Sequence, residues 1–394
     1  MFPPQPPLTL FLGSFPPREC GIATFTKDVV DSFEAVYGIR SQVIAIDEPG
    51  GEGRVYDARV LTRIVQDDRA SYIHAAAAAN AHPAQLINVQ HEYGLFGGPD
   101  GAWFLDFLEE LEKPVVVSLH TVLPEPSDQH RAIARRICER SDTIVVLSQT
   151  GKDILVDAYG VDAEKIQVIH HGVPDVPYLP AETSKIKFGI SDRMLISTFG
   201  LISRGKGLEY AIEAMRSVVE RHPEALYLIL GQTHPGVRRH EGESYRESLQ
   251  EKIASYGLEP NVRLVDKYLD FDELVQYLTA TDIYLTPYLN PVQIVSGTLA
   301  YAVGCGKAIV STPYLYAREL LANGRGFLVD FRDAASLARQ VSTLLDDPWL
   351  RHATERRAYR YGREMTWPHV AKQYGKLFAE LVPQSVEPML VLPA

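Results

Sequence analysis

Cysteine is scarce in this chain: Cys20, Cys138 and Cys305 are the only three among 394 residues. They lie far apart, in no metal-ligand spacing, which argues against a disulfide framework and a zinc site and for a reducing compartment. Positive charge is also in deficit. Lys and Arg number 39 against 50 Asp and Glu, a net of −11, so the broad basic field that nucleic-acid binding requires is absent. Long apolar runs are missing too. No window approaches the length of a membrane span, and the opening MFPPQPPLTLFLGSFPP has no basic start and only a short, proline-broken apolar run, unlike a signal peptide. The expectation is a cytoplasmic protein that binds no nucleic acid and has no transmembrane segment. One local exception is RAIARRICER, where Arg131, Arg135, Arg136 and Arg140 recur at helical spacing. The plain reading is a solvated helix face; the alternative is peripheral contact with anionic lipid or a phosphorylated acceptor.

What is present is an ordinary globular composition, 46% hydrophobic and 23% charged, on a chain long enough for two cores. Apolar strand patterns alternate with helical ones: LTLFLGS, SQVIAID, LINVQHE, PVVVSLHT, DTIVVLS and IQVIHHG in the first half. PDVPYLPAETSKIKFGI then reads as a linker. The alternation restarts with LISTFGL, LYLILGQ, NVRLVDK, DIYLTPY, KAIVST and RGFLVDF. This predicts an α/β protein of two doubly wound, Rossmann-like parallel-sheet domains facing across a cleft, the usual ligand position in such folds. The domains are expected at residues 1–180 and 181–366, with a final helix and tail at 367–394.

Candidate chemistry gathers at strand ends. In LGSFPPRECGIATFTKDVV, Gly21 permits close backbone approach, Thr24 is a candidate helix cap, and Arg18 and Glu19 can reach a polar ligand. NVQHEYGLFGG ends a strand in His91 and Glu92, and PVVVSLHT ends another in His120 and Thr121. Histidines at one sheet edge can serve sugar hydroxyls, although a lone histidine is more often packed in a core. STFGLISRGKGLEYAIEA sets Arg204 and Lys206 between glycines before a helix, a candidate phosphate clamp that matches neither the P-loop nor the dinucleotide fingerprint. LILGQTHPGVRRHEGESYRESL carries Gln232, His234, Arg238, Glu243, Tyr245 and Arg246, either a ligand site or a decorated loop. LDFDEL reads as the start of an acidic helix rather than a metal site. Finally, NPVQIVSGTLAYAVGCGKAIVST runs from strand to strand without a carboxylate between Pro291 and Gly306. Ser296, Gly297 and Thr298 open its helix with hydroxyls and amides suited to phosphate.

Nearly the whole chain resembles the GT-B fold glycosyltransferases, in particular retaining family 4. The likeness rests on the loop at Gly21, on His120, on Ser148 in IVVLSQ, and on FGLISRGKGLEYAIEA with Gly200, Lys206 and Gly207. It continues through YAVGCGKAIVST, YARELLANGRGFLV with Glu319, and MTWPHVAKQY with Trp367. The resemblance implies an acceptor-side N-terminal domain, a donor-side C-terminal domain, and a closing helix that crosses back to the first. It implies catalytic positions at His120, Gln293 and Glu319. Donor and phosphate contacts would fall at Gly21, Arg204, Lys206, Ser296, Gly297, Thr298 and Tyr301, and sugar or acceptor contacts at Arg18, His91, Glu92, Thr121 and His234. The family's two glutamates are replaced by Gln293 and Tyr301, and its loop arginine by Leu201. HTVLPE and SGT are also similar to glycogen and maltodextrin phosphorylases. The residues after SGT are Leu299, Ala300, Tyr301 and Ala302, so the lysine that would carry pyridoxal phosphate is not among them.

The implied function is transfer of a sugar, with retention, from a phosphate-activated donor, expected to be a nucleotide sugar, to a carbohydrate or other hydroxyl acceptor, with neither metal nor pyridoxal phosphate. The alternatives are a glycoside phosphorylase using inorganic phosphate or sugar 1-phosphate without pyridoxal phosphate, and a non-catalytic carbohydrate-binding protein.

Overall fold

A computed structural model describes residues 5–51 and 53–382 of the chain. The first four residues and those from 383 onward, which include the tail expected after the last helix, lie outside the described residues. The chain divides into two units. The first ends at His170 and resumes at Trp367; the second is His171–Thr366.

The first unit is built on seven parallel strands: β1 (Thr9–Gly13), β2 (Gln42–Asp47), β3 (Val60–Val65), β4 (Leu86–His91), β5 (Val115–Leu119), β6 (Thr143–Val146) and β7 (Ile166–Val168), in the order β3-β2-β1-β4-β5-β6-β7. Parallel neighbours require crossovers, which the intervening helices supply. β1, β4 and β5 are buried at every position, which explains the apolar runs of β1 and β5; β4 buries Asn88, Gln90 and His91 as well. The strand order reverses between β1 and β4, where Leu10 pairs with Ile87. β3 was not among the expected strands. All its side chains but Ile64 are exposed or half-exposed, and Thr62 and Arg63 break the apolar run of VLTRIV in the middle.

The helix Gly21–Tyr37 follows β1. Its cap is Cys20, whose Sγ accepts from Ala23 N at 3.4 Å; Thr24, the expected cap, lies within the helix. The last helix, Trp367–Leu381, packs beside it. Phe378 meets Phe33 and Phe11 at ring separations of 5.7 and 6.5 Å, and the Tyr374 hydroxyl lies 2.9 Å from Ser118 Oγ.

The second unit has six parallel strands: β8 (Met194–Phe199), β9 (Ala225–Leu230), β10 (Val262–Val265), β11 (Ile283–Thr286), β12 (Ala308–Ser311) and β13 (Phe327–Leu328), ordered β10-β9-β8-β11-β12-β13. The helix Leu208–Arg221 after β8 buries Leu208, Ala211, Ile212, Met215 and Val218, the i, i+3, i+4, i+7 stripe of a helix lying on a sheet. Here the order reverses between β8 and β11, which places the loops after those two strands at the switch point where open α/β sheets bind ligands.

The expected linker is part of this unit. Lys185 ends a short helix, Ala181–Lys185, and its Nζ sits 2.6 Å from Asp282 Oδ2, both side chains at most 3% exposed. Asp282 also accepts from Leu195 N at 2.6 Å. A buried charge requires its counter-charge, so the pair fastens the segment to β8 and β11. The acidic LDFDEL is a helix start as expected: Asp270 Oδ1 accepts from Glu273 N at 2.8 Å and caps Phe271–Ala280.

Candidate active site

In the second unit the chain leaves β8 at Gly200, turns through Arg204–Lys206 and enters a helix after Gly207. Gly207 needs to be glycine. Its φ is +61°, and a Cβ there would lie 2.2 Å from Pro287 O. The turn aims Lys206 inward, where Nζ donates to the Tyr288 hydroxyl at 2.8 Å. Tyr288 follows β11. Its oxygen is 2.7 Å from Thr298 Oγ1, which is 3.1 Å from Ser296 Oγ. Ser296 caps the helix Gly297–Gly304 by accepting from Leu299 N at 3.3 Å. Gly200 closes the group, since a Cβ on it would lie 3.1 Å from Lys206 Nζ and 3.2 Å from Thr298 Cγ2. The amides of Gly297 and Thr298, which precede the first intrahelical donors, make no hydrogen bond to the protein among the described residues. One ammonium, three hydroxyls and two amide donors therefore converge at the switch point, the equipment of an anion site.

Lys206, Ser296, Gly297 and Thr298 are thus brought together as the sequence suggested, but Arg204 is turned away. Its Nε binds Glu241 at 3.1 Å, and its guanidinium lies 5.1 Å from the Tyr245 ring. The expected clamp of two cations becomes one. Gln293 folds onto its own loop, donating from Nε2 to Val295 O at 2.9 Å. Tyr301 is buried, with the rings of His171, Phe199 and Phe271 5.9 to 6.3 Å away. Glu319 stands on the next helix, Leu315–Leu320, where its charge acts on Tyr316, Tyr361 and Arg325. His234 is exposed and caps Pro235–Glu241, its Nδ1 accepting from Gly236 N at 3.0 Å. Around it, Arg246 is buried against Gly231 O at 2.6 Å and Asp266 at 3.0 Å, and Arg238 binds Glu243 at 2.7 Å. Ion pairs within the fold account for much of this loop's polarity.

Two residues at the site were not anticipated. Tyr288 was visible only as the end of a strand pattern. His171 donates from Nδ1 to Gly172 O at 2.7 Å, and burial pushes its pKa down to about 4. Its Nε2 would be 2.8 Å from a Cβ on Gly297, so a neutral imidazole shapes the helix start.

In the first unit, Gly21 opens its helix, and apart from its own stretch of chain no atom of the described residues lies within 4 Å of where a Cβ would stand. Arg18 is pinned to β2, donating to Ile46 O at 3.1 Å with Glu48 3.9 Å away. His120 lies beyond β5, its Nε2 2.9 Å from Gln90 Oε1 and its ring edge-on to Phe25 at 4.6 Å. Thr121 donates to Glu92 at 2.5 Å, and burial raises the Glu92 pKa. These two and His120 gather at the ends of β4 and β5. His91 does not join them. It is fully buried, stacked on Phe96 at 5.1 Å and flanked by Tyr93 and Phe104, and neither ring nitrogen has a hydrogen-bond partner among the described residues. Its assignment to a sugar or acceptor is corrected: the aromatic core closes over it. The arginine-rich helix Asp128–Arg140 is tied down as well, with Arg136 on Glu109 and Arg140 on Leu108 O at 2.9 Å.

Residues 21–175 match the family model Glycosyltransferase Family 4, and residues 181–364 match Glycosyl transferases group 1. The chain belongs to the GT-B fold glycosyltransferases. Among particular proteins, it is 28% identical over 290 residues to a D-inositol 3-phosphate glycosyltransferase of Corynebacterium efficiens, covering 68% of this chain and 66% of that one. It is 25% identical over 258 residues to the uncharacterized glycosyltransferase MJ1069 of Methanocaldococcus jannaschii, covering 64% and 62%. The matches thus span somewhat under two thirds of the length of these relatives. Among solved structures, Anabaena Alr3699/HepE in complex with UDP superposes with a TM-score of 0.76 at 18% identity, over 95% of this chain and all of that one. Sucrose-phosphate synthase of Thermosynechococcus elongatus gives 0.76 at 17%, over 95% and 99%. At such identities the likeness is one of fold. No helix among the described residues is long and apolar enough to cross a membrane.

Proposed function

We propose that the protein transfers a sugar, with retention, from a nucleotide sugar to a hydroxyl of a carbohydrate acceptor. The observation that carries this reading is the convergence of Lys206, the Tyr288, Ser296 and Thr298 hydroxyls and two amides, unpaired among the described residues, at one helix start. A leaving diphosphate gains negative charge as its bond to the sugar breaks, and donors fixed beforehand stabilise that charge without reorganising. Solved relatives by fold carry UDP and UDP-glucose, which makes UDP the first probe. The departing phosphate oxygen takes the acceptor proton, so Gln293 need not act as a base. The reaction is proposed to require neither metal nor pyridoxal phosphate, Lys206 and the amides supplying the charge complement. His120, Glu92 and Thr121 in the first unit are proposed to serve the sugar or acceptor.

Calorimetry with UDP, UDP-glucose, glucose 1-phosphate and inorganic phosphate tests the reading. UDP should bind, Lys206→Ala should weaken it at least about tenfold as a charged hydrogen bond is lost, and Arg204→Ala should weaken it less. Binding of phosphate or sugar phosphate but no nucleotide would replace the transferase by a phosphorylase. Equal losses for the two variants would restore the two-cation clamp.

A further inference from the structure

We propose that Tyr288 is a positioning residue: its hydroxyl couples the Lys206 ammonium to the hydroxyls at the helix start and fixes the direction in which their protons point. The inference rests on reading that helix start as the site of the leaving phosphate.

The argument follows the protons. An ammonium only donates, so the Tyr288 oxygen accepts from Lys206 at 2.8 Å. That lone pair being engaged, the Tyr288 proton is directed to Thr298 Oγ1 at 2.7 Å. Thr298 then accepts, which leaves its own proton for Ser296 Oγ at 3.1 Å, for the neighbouring Tyr284 hydroxyl, or for an incoming anion. Ser296 already accepts from Leu299 N. The chain is polarised from cation to helix end, each member offering its proton onward, and such chains strengthen one another. Lys206 Nζ also lies 4.4 Å from the Tyr288 ring centroid. With the hydroxyl at 2.8 Å, that separation follows from the hydrogen bond, so the phenol oxygen rather than the ring face holds the ammonium.

A second group faces the same point. The hydroxyl of Tyr314 is buried and makes no hydrogen bond among the described residues, although Thr286, Ser296 and Ser311 surround it. The Tyr314 ring stacks on Tyr288 at 5.6 Å, with planes 15° apart. This stack keeps the Tyr288 ring in place when the hydroxyl is removed, so Tyr288→Phe deletes one oxygen and preserves the packing.

The test has a ligand arm and a ligand-independent arm. UDP affinity is measured for the wild type, Tyr288→Phe, Lys206→Met and the double variant. Tyr288→Phe should lose about tenfold, and the double variant should bind no more weakly than Lys206→Met alone, because the hydroxyl acts through the lysine. In the ligand-free protein, acylation of Lys206 by limiting acetic anhydride is followed by mass spectrometry. Tyr288→Phe should raise its rate about threefold or more as the ammonium loses its acceptor. Additive losses in the cycle, or an unchanged Lys206 rate, would overturn the proposal. If the wild type binds neither UDP nor phosphate while the Lys206 rate still rises in Tyr288→Phe, the phosphate reading fails and the positioning role stands.

Discussion

Replacing His91 by Met should stabilise the protein at neutral pH, and the gain should widen in acid. The ring is fully buried against Phe96, Tyr93 and Phe104, with both nitrogens unpartnered among the described residues. An unsatisfied buried polar group costs roughly 1–3 kcal/mol, and Met fills a similar volume without one. Burial pushes the His91 pKa from its ordinary 6.5 down to about 3. Below pH 6.5 the unfolded chain therefore takes up a proton that the folded chain refuses, and stability falls as pH drops toward the folded value. At pH 5 the shortfall is about 1.5 pH units at 1.36 kcal/mol each, or ~2 kcal/mol. Glu92, whose pKa burial raises, acts with the opposite sign, so the comparison is made between variant and wild type at each pH. Urea melts at pH 7.5 and pH 5.0 should show a gain of about 1–3 kcal/mol for His91→Met at the higher pH, and about 2 kcal/mol more at the lower. A variant less stable than wild type at pH 7.5, or a gap that does not widen in acid, would refute the reasoning.

Two further outcomes follow from the second unit. Lys185→Met leaves the Asp282 carboxylate buried without its cation and should cost about 3–5 kcal/mol in urea denaturation; Lys185→Met with Asp282→Leu should recover most of it. Gly207→Ala forces a side chain toward Pro287 O at positive φ, and its unfolding free energy should drop by more than about 1 kcal/mol.

Most of the architecture could be read from the chain because buried parallel strands announce themselves as apolar runs. β3 could not, being half-exposed and paired only with β2. At the site, Ser296 to Thr298 and Lys206 were legible because caps and glycine turns are local. Arg204 misled because its partner, Glu241, lies 37 positions along the chain. Tyr288 stayed hidden because its role depends on a lysine 82 positions away. His91 ends a strand beside Glu92 and so resembles a site residue, yet the rings that enclose it come from a turn and helix that periodicity does not place around it. Polarity at a strand end was visible; the direction of the side chain was not.

The division of the chain has a consequence for the order of its making. The first unit is interrupted: its closing helix, with Phe378 against Phe11 and Phe33, is translated only after the whole of His171–Thr366. Val173 and Thr366, near the two ends of that insertion, form a parallel bridge, with Val173 N donating to Met365 O at 2.8 Å. The second unit can therefore close on itself while its ends stay side by side. On the ribosome the unit that starts earlier in the chain is completed after the other, and the face that Trp367–Leu381 covers stays open until that helix has been made.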